Sequence, residues 1–229
     1  MHGQSASAHV APVGWAAVVD FDGTLCVQDI GDLVATELGE RAAWRAAEDE
    51  FAAGSIRFKT LLEKIFGSVR VDAEAIATFA RARAHLRHGF EAFAAGQHAA
   101  GRPLVVCSAG LDVYVRAVLE RLPAPLHGHI AVRANRALCS PEGMRLEFPG
   151  AGRGCDHCGS CKAPVVEDLQ AAGWKVVFVG DGTSDRCGAR VADFVFARGS
   201  LLRTCVSEGL PHAPFESFDE VVAGWPGAW

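Results

Sequence analysis

Three short, continuous apolar runs stand out along the chain: Trp15 to Asp20, Pro103 to Ser108 and Lys175 to Gly180. Runs of this length without polar alternation predict strands buried on both faces, as in a parallel sheet. Helix-like stretches follow the second and third, Leu111 to Arg121 and Ser184 to Val191, which is the alternation of an α/β fold. Asp193 to Ala197 predicts another strand, and Ile130 to Cys139 with Met144 to Phe148 predicts two more, joined by a Ser-Pro-Glu-Gly turn. The expectation is a Rossmann-like, mostly parallel sheet of about five or six strands.

Between the first two strands lie about eighty residues with no strand pattern, where a parallel crossover needs one helix. Ile30 to Leu38, Arg41 to Ala53, Ile56 to Phe66, Asp72 to His85 and Gly89 to Ala100 all read as helices, punctuated by Gly39, Gly54, Gly67 and Gly101. The surplus predicts a small helical cap over residues 27–90, inserted into a catalytic core made of 1–26 and 91–229. No internal repeat is present. Ligands of such sheets bind beyond the carboxyl ends of the strands, and those ends carry Asp20, Ser108 and Asp181.

Composition narrows the function. A chain of 229 residues, 50% hydrophobic and 21% charged, excludes collagen-like, coiled-coil and low-complexity classes. Twenty-two Lys plus Arg against 27 Asp plus Glu give a net charge of -5, which argues against nucleic acid as a partner. No run approaches the ~20 apolar residues of a bilayer helix, and the N-terminus has neither a basic start nor an apolar signal core. The expectation is a cytoplasmic protein, monomer or homodimer, with no membrane partner. Eight cysteines are spread through a chain large enough to need no disulfide framework, and Cys26 and Cys107 lie in or beside strand-like runs.

The chemistry concentrates at the strand ends. Asp20-Phe-Asp-Gly-Thr24 sets two carboxylates at alternate positions, the first able to act as nucleophile and the second as proton donor and acceptor; read alone, it is also a plain Asp-rich turn. Gly180-Asp-Gly-Thr-Ser-Asp185 is a second acidic loop, and hard oxygen ligands from Asp20, Asp181 and Asp185 suit Mg2+, although helix capping explains the same residues. Ser108 is placed to offer its hydroxyl to a phosphate at a helix N-terminus, or to cap that helix. Lys162 offers a positive point charge beside the carboxylates, and in isolation would be an ordinary surface lysine.

In combination and in this order, DxDGT, Ser108, Lys162 and GDGTSD resemble the haloacid dehalogenase superfamily, matching its four motifs from Asp20 to Asp185. The resemblance implies a Mg2+-dependent phosphomonoester hydrolase. Asp20 would be the nucleophile that forms an aspartyl-phosphate, and Asp22 the acid and then the base. Ser108 and Lys162 would hold the phosphoryl oxygens. Asp20, Asp181 and the Asp22 carbonyl would bind the metal, supported by Asp185. An acid at position 22 fits a phosphate ester, whose leaving group needs a proton, better than dehalogenation.

The inserted helices resemble the cap of the phosphoserine-phosphatase branch, with Gly54 to Lys59 similar to a segment of those caps. Two departures matter: the arginine that clamps the serine carboxylate there aligns with Ile65, and the usual Glu after the first motif is Asp29. A closer resemblance runs to the methionine-salvage phosphatases acting on 2-hydroxy-3-keto-5-methylthiopentenyl-1-phosphate, and a more distant one to the phosphoethanolamine/phosphocholine phosphatases. It is carried by Arg87-His-Gly-Phe90, Cys107 to Asp112, the Cys-rich approach to Lys162, and Asp193 to Arg198. Ala109 replaces the commoner Gly, and Gly182-Thr-Ser differs from the salvage pattern. Candidate substrate contacts are Asp29, Ala109, Gly110 and Asp112, with a small phosphorylated metabolite as partner. Transfer of the phosphoryl group to an acceptor other than water would use the same residues.

Cys155-Asp-His-Cys158-Gly-Ser-Cys161, directly before Lys162, is a candidate structural Zn2+ site whose fourth ligand would be His157 or Cys139; free thiols and a disulfide are the alternatives. The cluster also admits a zinc- or thiol-dependent binding protein on the same fold. Trp15, Trp44, Trp174, Trp225 and Trp229 read as packing and tail anchors. His127 and His129 flank a glycine in an expected loop, and Arg81, Arg83 and Arg87 read as a solvated helix face, with Arg87 the one that could face the cleft.

Overall fold

A computed structural model describes residues 14–140, 142–155 and 157–227; the N-terminal tail and Trp229 lie outside this range. The first apolar run forms β1 (Gly14–Val19), which ends in a wide turn over Phe21–Leu25. Five helices precede the next strand, the first four being α1 (Ile30–Glu37), α2 (Arg41–Ala52), α3 (Phe58–Gly67) and α4 (Ala73–Arg83). Asp29 and Asp72 start α1 and α4 by accepting the amides of Asp32 and Ala75, both at 2.8 Å. The chain then runs through α5 (Phe90–Ala99), β2 (Leu104–Leu111), α6 (Asp112–Leu119) and α7 (Ala124–His129) to the hairpin of β3 (Ala131–Ser140) and β4 (Gly143–Glu147). It finishes with α8 (Ala163–Ala171), β5 (Trp174–Gly180), a tight turn at Thr183–Asp185, α9 (Arg186–Val191), β6 (Phe194–Ala197), α10 (Gly199–Glu208), β7 (His212–Pro214) and α11 (Phe218–Ala223).

The sheet has seven strands in the order β4-β3-β2-β1-β5-β6-β7, parallel except for the β3–β4 pair. Alternate residues of the central strands enter two different cores. Ala17, Val19, Leu104, Val106, Val177 and Val179 face α5, α6, α11 and the inserted helices, while Val18, Val105, Cys107, Val176 and Phe178 face α8, α9 and α10. Burial on both faces is why these runs carry no polar alternation. Strand order reverses at β1, which pairs with β2 on one side and β5 on the other. Val19 is level with both Val106 and Val179, so Asp20, Cys107 and Gly180 leave that level together and open the crevice where such sheets bind ligands.

The segments that leave and re-enter the sheet around α1–α4 pair with each other. Cys26 bridges Leu86 in antiparallel fashion, Val27 N donates to His85 O (2.9 Å) and Arg87 N to Leu25 O (2.8 Å). No helix among the described residues is long and apolar enough to cross a membrane.

The sheet is wider than the expected five or six strands. Its seventh member, β7, is three residues long and pairs with β6 alone, so no apolar run announces it. His127 and His129 lie in α7, not in a loop, because Pro123 sets the first turn and Leu126 anchors it in the core. Beside β2, an aromatic cluster fastens the C-terminus: the Phe218 ring stands 5.0 Å from Phe90, 5.2 Å from Phe93 and 6.1 Å from Phe215. Phe218→Ala is expected to destabilise the fold by about 3–5 kcal/mol, measured by denaturant unfolding, with α11 losing amide protection first.

Candidate active site

The turn after β1 brings the nucleophile candidate to a lysine buried beneath it. Gly23, at φ +73°, reverses the chain between Asp22 and Thr24, and a Cβ there would lie 2.6 Å from Asp181 Oδ2. Thr24 Oγ1 donates to Asp181 Oδ1 at 2.8 Å, tying the turn to the β5 loop. Lys162, fully buried at the start of α8, donates its Nζ to Asp20 and, at 2.5 Å, to Asp185 Oδ1. Asp185 Oδ2 accepts the amides of Asp181 (3.0 Å) and Gly182 (2.9 Å), which shapes the loop that presents Asp181. Burial, with Asp185 adding repulsion, raises the Asp20 carboxyl well above its ordinary range against the pull of Lys162. Burial alone would lower Lys162, but Asp185 and Asp20 outweigh it and hold the ammonium charged.

Asp22 has a separate set of partners. Its Oδ1 accepts the amides of Ile30 (2.8 Å) and Gly31 (3.3 Å) at the start of α1, and its Oδ2 accepts the Tyr114 hydroxyl (2.8 Å) and the Ser108 hydroxyl (3.4 Å). Burial pushes its pKa up to about 6, with the Tyr114, Ile30 and Gly31 donors pulling the other way. A carboxyl poised there can give up and take back a proton near neutrality. Ser108 does not start a helix as expected: β2 continues to Leu111, and the serine hydroxyl instead accepts Gly110 N at 2.9 Å. The register slip between Cys107 and Leu111 is what lets a strand residue turn toward Asp22. Gly110 leaves room for Tyr114, since a Cβ there would meet its hydroxyl at 1.5 Å.

Two arginines brace the turn from behind. Arg87 is buried, not part of a solvated face: its Nε donates to Thr24 O and its Nη2 to Gly23 O, both at 2.6 Å, and its Nη1 to Glu216 O at 3.2 Å. Arg198 adds a second donor to Gly23 O at 2.9 Å. Arg81 and Arg83 do lie on the surface, paired with Glu74, Glu120 and Glu37. Buried Asn135 links two further elements, donating to Ala109 O (2.6 Å) and accepting the Ser160 hydroxyl two residues before Lys162 (2.5 Å). Tyr114, Arg198 and Asn135 were not singled out from sequence as site residues, because no local pattern marks a residue whose partner lies on another element.

A cavity of about 290 Å³ opens over Asp20, Asp22 and Asp181. Ala109, Gly110 and Tyr114 form one wall, and Phe51, Phe58, Leu61, Leu62, Ile65 and Phe66 from α2 and α3 form the roof. Asp29, Asp32 and Glu48 make an acidic patch at the side, and no Lys, Arg or His lines the cavity among the described residues. Ser108 and Lys162 sit beneath it, nearly or fully buried. Asp112 is not brought here: its Oδ1 accepts Ala137 N at 3.1 Å, and it lines a separate cavity with Arg116 and Arg133. The fourth candidate ligand beside Cys155, Cys158 and Cys161 is Cys187 on α9, in place of the expected His157, which packs near Phe51, or Cys139 on β3.

Oxygens of Asp20, Asp181 and Asp185 lie within 4.8 Å of one another. Three carboxylates against one lysine leave an excess of negative charge that burial makes costly, and a small divalent cation with oxygen preference fits that donor set. Asp20 and Asp181 face the cavity, whereas Asp185 already serves Lys162 and two amides, so it acts chiefly from behind.

The family model described as haloacid dehalogenase-like hydrolase matches residues 17–190, which include every one of these groups except Arg198 and Glu216. This chain belongs to that family. It is 33% identical over 206 residues to the 2-hydroxy-3-keto-5-methylthiopentenyl-1-phosphate phosphatase of Geobacillus kaustophilus, covering 89% of this chain and 91% of the relative. The corresponding phosphatase of Bacillus velezensis is 29% identical, covering 90% and 88%. Among solved structures, a phospho-aspartyl intermediate analogue of phosphoserine phosphatase superposes with a TM-score of 0.68 at 21% identity, over 91% of this chain and 97% of that one. A cytosolic 5'-nucleotidase IIIB bound to cytidine gives 0.62 at 16% identity, over 90% and 81%. This haloacid dehalogenase-like hydrolase is a phosphatase.

In this phosphatase, Tyr114→Phe removes one of the donors that orient Asp22. We expect kcat/KM to fall about tenfold, roughly 1.4 kcal/mol, with little change in unfolding midpoint. Steady-state kinetics beside a thermal melt checks both halves.

Proposed function

We propose that this protein hydrolyses a small, apolar-tailed phosphomonoester through an aspartyl-phosphate on Asp20, with 2-hydroxy-3-keto-5-methylthiopentenyl-1-phosphate, the compound in its relatives' names, as the fitting substrate. The observation that carries the reading is the cavity: a nucleophile, an acid and a buried lysine at the floor, and an apolar roof without a cation. A phosphoserine carboxylate would find no cationic side chain there among the described residues, since Ile65 holds the place expected of a clamping arginine, and Asp29 and Glu48 would repel it. A thioether tail would lie against Phe51, Phe58 and Leu62.

In the first displacement a carboxylate oxygen of Asp20 attacks phosphorus, and Asp22 gives its proton to the departing alkoxide oxygen. In the second, Asp22 takes a proton from the water that attacks the aspartyl-phosphate, releasing inorganic phosphate and restoring Asp20. Lys162 neutralises Asp20 at the start of each cycle, and Ser108 and Lys162 are the groups beneath the floor that would meet the phosphoryl oxygens. Mg2+ held by Asp20, Asp181 and the Asp22 carbonyl, with Asp185 behind them, would supply the charge that lets a carboxylate approach a phosphate.

Helices α1–α4 would act as the cap over this cavity, a unit of about residues 27–90. The pairing of Cys26 with Leu86 and of Val27 with His85 supports a boundary at that ribbon.

Phosphate release across a panel containing the methylthio substrate, phosphoserine, phosphoethanolamine, phosphocholine and nucleoside monophosphates tests the reading. The expected result is efficient turnover of the methylthio compound with Mg2+, none with chelator and none in Asp20→Asn. Preference for phosphoserine would overturn the substrate assignment, and activity surviving Asp20→Asn would overturn the mechanism. Ile65→Arg is expected to shift the ratio of rates toward phosphoserine by about tenfold.

A further inference from the structure

Four thiols from two distant parts of the chain meet at one point behind the active site. Cys155, Cys158 and Cys161 come from the loop before α8, and Cys187 comes from the first turn of α9; their sulfurs all lie within 4.8 Å of one another. Cys155 Sγ and Cys158 Sγ are 3.2 Å apart, and all four are free cysteines. Tetrahedral zinc with bonds of ~2.3 Å to thiolate sulfur needs sulfurs roughly 3.8 Å apart, which this group straddles. A disulfide would join two of the four and leave the other pair unexplained. We propose that these four cysteines hold a structural zinc ion that locks the Lys162 segment to the Asp185 segment.

The loop itself gives the metal a reason. Residues 149–155 and 157–161 contain no helix or strand, and the cluster they form buries only Cys158, Cys161 and Ala163, with Cys155, Cys187 and Val191 beside them. So little apolar surface does not offset the entropy of ordering that length of chain. Gly154, at φ +79°, folds the chain so closely over Cys161 that a Cβ would lie 2.6 Å from the Cys161 Cβ, a knuckle-like turn that aims sulfurs inward.

Position in sequence then ties the ion to the chemistry. Cys161 immediately precedes Lys162, and Cys187 follows Asp185 by two residues. The Lys162–Asp185 ion pair thus bridges two chain segments that the zinc would also bridge, and the metal would fix the distance across which that pair forms. The same loop reaches the inserted helices: Lys59 N donates to His157 O at 3.3 Å, and Phe51, in the cavity roof, lies 6.0 Å from the His157 ring. Zinc is favoured over magnesium or calcium because the ligand group formed by the described residues is four soft sulfurs.

The test is metal content and spectroscopy on the full chain, independent of substrate identity. Purified after growth with zinc and desalted under reducing conditions, the protein should carry about one zinc per chain, retained through a chelation step that removes magnesium. Cys187→Ser should retain less than about a tenth of that zinc, whereas Cys139→Ser and Asp20→Asn should retain all of it. Because Cys187→Ser can fail to fold, cobalt loaded into the wild-type chain provides the second measurement, and strong thiolate charge-transfer absorption with tetrahedral visible bands is expected. Iron in place of zinc, a disulfide by intact mass, or four thiols that titrate freely in the native chain with no metal bound would each overturn the proposal. Loss of zinc with hydrolysis intact in Asp20-containing protein, or the reverse, separates this site from the catalytic reading.

Discussion

A lysine with no exposed surface, held between two carboxylates, is the constraint around which the rest of the site is arranged. Taking an ammonium out of water costs several kcal/mol unless its donors are fully matched, and Lys162 is matched by Asp20 from β1 and Asp185 from the loop after β5. Those partners come from neighbouring strands whose register sets Asp20 level with Gly180, so the sheet delivers one carboxylate and the tight turn at Thr183–Asp185 the other. Neither carboxylate is tolerable at that depth without the lysine, nor the lysine without them. Asp20, the proposed nucleophile, is therefore also part of the structure's most demanding polar contact.

The second carboxylate of the pair escapes this network because the turn points it the other way. Gly23 separates Asp22 from Thr24, and two guanidinium groups, Arg87 and Arg198, neither of which lines the cavity, grip the Gly23 carbonyl. With the backbone of the turn held, Asp22 is left to α1, Tyr114 and Ser108. Two acids two residues apart in sequence thus live in different electrostatic surroundings, one fixed against a cation and one among neutral donors, and that division suits them to different steps.

Much of this was legible in the sequence, for definable reasons. Continuous apolar runs announced the central strands because both faces of the sheet are covered, and the surplus of helical pattern before the second strand announced α1–α4. Asp20, Asp22, Ser108, Lys162, Asp181 and Asp185 could be picked out because each motif is short and local. What escaped was long-range. Cys187 lies 26 residues beyond Cys161 in no recognisable spacing, and it joins the other three sulfurs only because α8 and α9 pack together. Arg87 looked like part of a charged helix face, yet α4 ends at Arg83 and the chain turns Arg87 inward. Asp112 sat in a family-like segment, but the start of α6 directs it to β3.

The first two amides of α1 end on Asp22, while α1 itself belongs to the stretch that departs from and returns to the sheet through the Cys26–Leu86 ribbon. Those amides are among the forces that favour the ionised form of Asp22. Any swing of α1 about that ribbon must draw the two dipoles away from the carboxylate and make it a weaker acid. The same inserted stretch thus roofs the cavity and supplies two of the donors that set the proton affinity of Asp22.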